Sequence, residues 1–190
     1  MNVAVVIPVK SFTMAKGRLA DTLNATQRAE LAQRCAETVV RAALPLPTYV
    51  VCSDAAVATW AIDLGAIVVD CQTPGLDVAV TAGRSAAMAD GADHIIIAHA
   101  DLPLATSFTH IAVANSVSLV PDRHRDGTNV LSFPLHSQFV TAYGPGSFEN
   151  HIRHATIASL PYVVIEDEAL ALDLDTADDL SELQRRTKDN

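Results

Sequence analysis

The chain has 190 residues, 49% apolar and 18% charged, with a net charge of −9. This is enough length and apolar content for one folded domain over residues 1–190, and it excludes a disordered polymer. The acidic balance repels phosphate backbones, so no nucleic acid is expected as a partner, although a single nucleotide held by local cations remains compatible.

The first apolar run, Val3–Ile7, follows no basic leader and is far too short to span a bilayer. No membrane association and a cytoplasmic location are expected. Three cations follow the run within nine residues, Lys10, Lys16 and Arg18, in a chain with only 13 Lys and Arg. Their spacing matches neither a P-loop nor a dinucleotide-binding fingerprint. A solvated basic loop would explain them; so would a site that neutralises triphosphate charge and a leaving pyrophosphate.

Residues Ala25–Leu44 read as a helix, with Asn24 as cap, Gln27 three residues on, and an apolar stripe at Leu31, Cys35, Val39 and Ala42. Apolar runs at Tyr49–Cys52, Ala66–Val69, His94–Ala98, Val117–Val120, Asn129–Phe133 and Tyr162–Ile165 predict strands. Several lack polar alternation, as in strands covered on both faces. Weaker helices are predicted at Ala55–Leu64, Leu76–Asp90, Ser107–Asn115, Ser147–Ser159 and Thr176–Arg186. Only the polar loop Pro121–Thr128 joins the fifth and sixth runs, which predicts an antiparallel element in a mostly parallel sheet flanked by helices on both faces. The cysteines, Cys35, Cys52 and Cys71, have no C-x-x-C spacing and are expected as small buried residues.

Ligands of such α/β sheets bind beyond the C-terminal strand ends, which directs attention to the residues after each run. Asp101 follows the most hydrophobic strand, where it is a cap, a turn residue or a ligand. Asp173 and Asp175 are two apart, on one side of an extended chain, and such close like charges favour a cation between them. Oxygen ligands alone select a hard ion, magnesium with manganese as a substitute. The alternative is that Asp175 or Thr176 caps the last helix. The Gly144-Pro145-Gly146-Ser147 stretch opens a helix whose free N–H groups suit a carboxylate or phosphate, or it is a structural turn. His151 and His154, three apart with no evident third metal ligand, are expected at the surface or supporting other residues.

The ordered set Ile7-Pro8-Val9-Lys10, Lys16 with Arg18-Leu19, Ala100-Asp101-Leu102-Pro103-Leu104, Gly127-Thr128-Asn129, Tyr143-Gly144-Pro145-Gly146-Ser147-Phe148 and Asp173-Leu174-Asp175-Thr176 resembles the 2-phospho-L-lactate guanylyltransferase family of coenzyme F-420 biosynthesis. The resemblance covers nearly the whole chain. It implies a glycosyltransferase-A-like nucleotidyltransferase fold. It also implies attack by the phosphate of a three-carbon acid (2-phospho-L-lactate, phosphoenolpyruvate or 3-phosphoglycerate) on the α-phosphorus of GTP, releasing pyrophosphate. By the same resemblance Asp101, Asp173 and Asp175 hold magnesium, Lys16 and Arg18 face the triphosphate, and Thr128, Gly144 and Ser147 hold the acceptor carboxylate. Gly75 and Asp77 fall where the family often reads Gly-Leu-Asn beside the nucleotide; an aspartate there accepts from a guanine N–H but cannot donate to its carbonyl. Another nucleotidyltransferase, acting on molybdopterin or a sugar phosphate, is an alternative, as is a metal-dependent glycosyltransferase. A non-catalytic binding module has no need to gather opposite charges at strand ends. A homo-oligomer stays open.

Overall fold

A computed structural model describes residues 1–188. Among them the strands are β1 (Val3–Pro8), β2 (Thr48–Cys52), β3 (Ile67–Asp70), β4 (His94–Ala98), β5 (Val117–Pro121), β6 (Thr128–Pro134) and β7 (Tyr162–Val164). The α-helices are α1 (Ala25–Ala43), α2 (Ala55–Asp63), α3 (Leu76–Ala89), α4 (Ser147–Ile157) and α5 (Ala177–Lys188). The strands form one sheet in the order β3-β2-β1-β4-β6-β5-β7. The pairs β1–β2, β1–β4, β2–β3 and β5–β7 are parallel. As the Pro121–Thr128 loop suggested, β6 runs antiparallel to both neighbours, β4 and β5.

Strand position explains the apolar runs. The inner strands β2, β4 and β5 are buried at every residue, whereas the edge strands β3 and β7 carry exposed ones. Alternate residues serve opposite faces. Val5, Ile7, Val50 and Ile96 meet Val39 and Val40 of α1 and Val57 and Ala61 of α2. Val6, Tyr49, Ile95 and Ile97 meet Val80 and Ala87 of α3 and Phe148 and Ala155 of α4. The α1 cap forms reciprocally: Asn24 Oδ1 accepts from Gln27 N at 3.0 Å, and Gln27 Oε1 accepts from Asn24 N at 3.0 Å. Helix α3 lies so close to the sheet that a Cβ on Gly83 would collide with Val6 Cγ1 and reach 2.9 Å from Val51 Cγ2.

One expected helix does not form. Residues 107–115 make turns in which Phe108 and Ile111 are buried anchors. The backbone N–H groups there make short-range bonds, Ile111 N to Phe108 O at 3.0 Å and Thr109 N to Ser107 Oγ at 3.3 Å. Serine and threonine hydroxyls compete for the backbone, and β-branched Thr109, Ile111 and Val113 weaken helix propensity. The cysteines are free thiols; Cys35 and Cys52 are buried and Cys71 half-buried. No helix among the described residues is long and apolar enough to cross a membrane.

Candidate active site

The C-terminal ends of β1, β2 and β4 open into a cleft of about 600 Å³, lined among others by Lys10, Lys16, Gly75, His99, Asp101 and Asp175. After β1 the chain makes two short 3-10 turns, and fully buried Leu19 anchors the second. Between the turns Lys16 takes the left-handed conformation, φ 58°. Its side chain is only 5% exposed, and its Nζ lies 2.9 Å from Asp101 Oδ2 and 3.8 Å from Asp175 Oδ1. Exposed Arg18 reaches Asp175 Oδ2 at 2.9 Å. Two cations and two carboxylates thus form one network, in which Arg18 and Asp175 meet across 157 residues of chain.

The acidic segments are held in register by backbone: Leu174 N donates to Asp101 O at 2.9 Å. Burial would push the Asp101 carboxyl up, but the Lys16 ammonium, with His99 and direct hydrogen bonding adding to it, holds it below the usual carboxylate range. Asp173 goes the other way: burial raises it first and the charge of Asp101 adds to that. Asn129 Nδ2 donates to Leu170 O at 3.0 Å and lies 3.5 Å from Asp173 Oδ1. Helix α5 is served by Thr176 and Asp179: Asp179 Oδ2 accepts from Thr176 N at 2.7 Å, and Asp179 N donates to Thr176 Oγ1 at 3.3 Å. Capping therefore does not need the Asp175 carboxylate, which is left to Lys16 and Arg18.

Among the described residues no three His, Cys, Asp or Glu side chains stand grouped as a ready metal cage; the Lys16 ammonium lies between Asp101 and Asp175. Asp101 Oδ1 is nevertheless buried without a hydrogen-bond partner.

The remaining expected residues separate into two places. Gly75 starts α3 at φ 127° and lines the cleft. Asp77 does not line it. Its Oδ1 accepts from Thr141 Oγ1 at 2.6 Å, and its carboxylate accepts from Tyr143 N at 3.3 Å, so it fastens the loop before α4. Thr128, Gly144 and Ser147 lie beside each other. Because β6 runs opposite to β4, its first residue arrives next to the end of β4. Thr128 N donates to Ser147 Oγ at 3.1 Å, and both side chains are buried. The N–H groups of Ser147 and Phe148 are not free, since they donate to Gly144 O at 3.0 Å and Asp126 O at 3.1 Å. The carboxylate donors expected from this helix start are accordingly fewer than the sequence suggested.

Of the two settings expected for His151, at the surface or supporting other residues, it has the second, and it is fully buried. Its Nε2 accepts from Ala142 N at 3.0 Å and its Nδ1 lies 3.0 Å from Thr128 Oγ1, so the neutral ring carries its proton on Nδ1 and donates to Thr128. Burial pulls its pKa down to about 4, with His154 and His99 adding and Asp77 opposing. His154 contacts Val140 O through Nδ1 at 2.7 Å. His99 carried no assigned role in the sequence, although its place two residues before Asp101 was a usable signal.

Residues 3–189 match the family model described as "Guanylyl transferase CofC like". Relatives named phosphoenolpyruvate guanylyltransferase include one from Sphaerobacter thermophilus, 33% identical over 96% of this chain and 93% of its own. Another, from Rubrobacter xylanophilus, is 33% identical over 97% and 94%. Among solved structures, a candidate nucleotide-diphospho-sugar transferase from Desulfovibrio desulfuricans aligns with TM-score 0.76 at 17% identity, over 98% of this chain and 88% of that one. The CMP:2-keto-3-deoxy-manno-octonic acid synthetase complexed with CTP aligns with TM-score 0.61 at 11% identity, over 100% and 99%. At these identities the structural matches establish the nucleotidyltransferase fold alone.

Proposed function

Starting from the fact that this chain belongs to the CofC-like guanylyl transferase family, we propose its substrates, its metal and the residues that act. The nucleotide is GTP. The acceptor is a small phosphorylated three-carbon acid, with phosphoenolpyruvate favoured by the names of the relatives. An oxygen of the acceptor phosphate attacks the α-phosphorus, the bond from that phosphorus to the α,β-bridging oxygen breaks, and pyrophosphate leaves as the new diphosphate forms.

The observation that carries this reading is the Lys16–Asp101–Asp175–Arg18 network at the strand ends. Lys16 and Arg18 neutralise the triphosphate and the departing pyrophosphate, where charge grows during transfer. Lys10 lines the same cleft and adds to the cationic side. Gly75 allows the nucleotide to approach the start of α3. Thr128, Gly144 and Ser147 flank the acceptor carboxylate; Ser147 Oγ, although it accepts from Thr128 N, retains its own proton to donate.

Asp101, Asp173 and Asp175 would hold a divalent ion, magnesium or manganese. The residues fit one: Asp101 Oδ1 is buried and unpartnered, and Asp173 is pushed toward protonation by burial beside Asp101. Bound there, the ion supplies positive charge for phosphate oxygens. Lys16 holds the carboxylates together electrostatically and is poised to turn its ammonium to phosphate. The testing experiment measures pyrophosphate release from GTP with each of the three acids, with magnesium and with excess chelator. Release that needs both the acid and the metal supports the proposal; equal release in chelator refutes the metal.

A further inference from the structure

Buried polar groups without partners are few in folded proteins, and each calls for an explanation. Among the described residues five side-chain atoms are in this state: Trp60 Nε1, His99 Nε2, Asp101 Oδ1, Ser118 Oγ and Tyr143 Oη. Three of the five belong to one place. His99 and Asp101 follow β4 and line the cleft together. The Tyr143 ring lies 5.4 Å from the His99 ring and 4.9 Å, edge-on, from His151, which itself bonds Thr128. His99 therefore stands between the carboxylate network on one side and the Tyr143–Ser147 loop on the other.

Its backbone is fixed, with His99 N donating to Asn129 O at 3.0 Å, and its ring plane is backed by Tyr143. His99 and Asp101 line the same cleft, on the turn that follows β4. The triphosphate side already has Lys10, Lys16 and Arg18. Among the described residues the Lys and Arg side chains that line the cleft are Lys10 and Lys16.

We infer that His99 binds the substrate directly, its Nε2–H donating to a phosphate oxygen of the acceptor acid. The inference rests on the proposed reaction and adds a donor specific to the acceptor. Tyr143 packs against the ring, centroid to centroid at 5.4 Å. The task needs a hydrogen-bond donor at this position, which separates His99→Phe, keeping bulk, from His99→Gln, keeping a donor.

The test is calorimetric binding of phosphoenolpyruvate, with magnesium, to the chain saturated with a GTP analogue whose α,β-bridge cannot be cleaved. His99→Phe should weaken acid binding about tenfold or more, the scale of a lost hydrogen bond to a charged group. His99→Gln should recover most of it, and analogue affinity should stay within about twofold throughout. Thermal melting establishes that each variant is folded. Equal acid binding by the parent and His99→Phe, equal losses in both variants, or a loss that falls on the nucleotide would overturn the inference. Acid binding that weakens in His99→Phe while the parent transfers no guanylyl group supports the inference and counts against the proposed reaction. Absence of acid binding in the parent overturns both.

Discussion

Asp101 shows what a single position can and cannot disclose from sequence. Its location after the most apolar strand was readable, because strands end where the apolar run ends. Its partners were not, because Lys16 is 85 residues away and meets it only through the sheet order. The same limit hid Asp77, whose carboxylate is taken by Thr141 and Tyr143 from a loop more than 60 residues downstream. Asp101→Asn removes the charge and keeps the shape. Its kcat should fall by about a hundredfold or more, the scale of a lost electrostatic group in a transfer site. The melting temperature should fall only modestly: the charge pair with Lys16 is lost, but the amide oxygen still accepts from Lys16, and Asp175 still faces it. Steady-state kinetics beside a melting curve checks this; a variant unfolded at ordinary temperature would make Asp101 structural.

At the scale of elements, strong patterns were legible and weak ones were not. Helix α1 declared its cap and stripe, and both are present. Residues 107–115 had spaced apolar positions, Phe108 and Ile111, but a turn can bury two anchors as well as a helix can. Periodicity over nine residues did not discriminate the two. The buried setting of His151 was equally hidden, since a histidine on a polar helix carries no mark of the Thr128 hydroxyl it will meet. Gly83 was silent for the same reason: its importance lies in β1 and β2, not in α3. Gly83→Ala gains helix propensity yet drives a methyl into Val6 and Val51. It should destabilise the chain by about 1–3 kcal/mol, read as a lower urea midpoint. A midpoint at or above the parent's would show that α3 can move away from the sheet without cost.

For the whole molecule, one buried histidine links stability to acidity. His151 has its pKa depressed from 6.5 to about 4 in the folded chain, so the unfolded chain binds more protons between those values. Stability should therefore be full above about pH 6.5 and should decline as pH falls toward 4, by an amount on the order of 3 kcal/mol. Buried His94, also depressed by desolvation, acts in the same direction. Urea midpoints at several pH values measure the slope, and His151→Gln, which does not titrate, should flatten it. An unchanged slope in that variant would assign the effect elsewhere. The overall architecture was legible because seven apolar runs and one helix-free connection specify a mixed sheet. The grouping of Lys10, Lys16, Gly75, Asp101 and Asp175 around one cleft was legible through the ordered segments that resemble a known family, but the place of Asp77 and the bonding within the site were not.

The proposed reaction is guanylyl transfer from GTP to a phosphorylated three-carbon acid, assisted by a divalent metal at the Asp101–Asp175 end of the sheet. Its most direct test incubates the purified chain with GTP, phosphoenolpyruvate and magnesium and follows both products by mass spectrometry. Pyrophosphate and guanylylated phosphoenolpyruvate should form in equal amounts, and both should be absent when the metal is chelated. A folded chain that yields neither product with any of the three acids, or yields both undiminished in excess chelator, would contradict it.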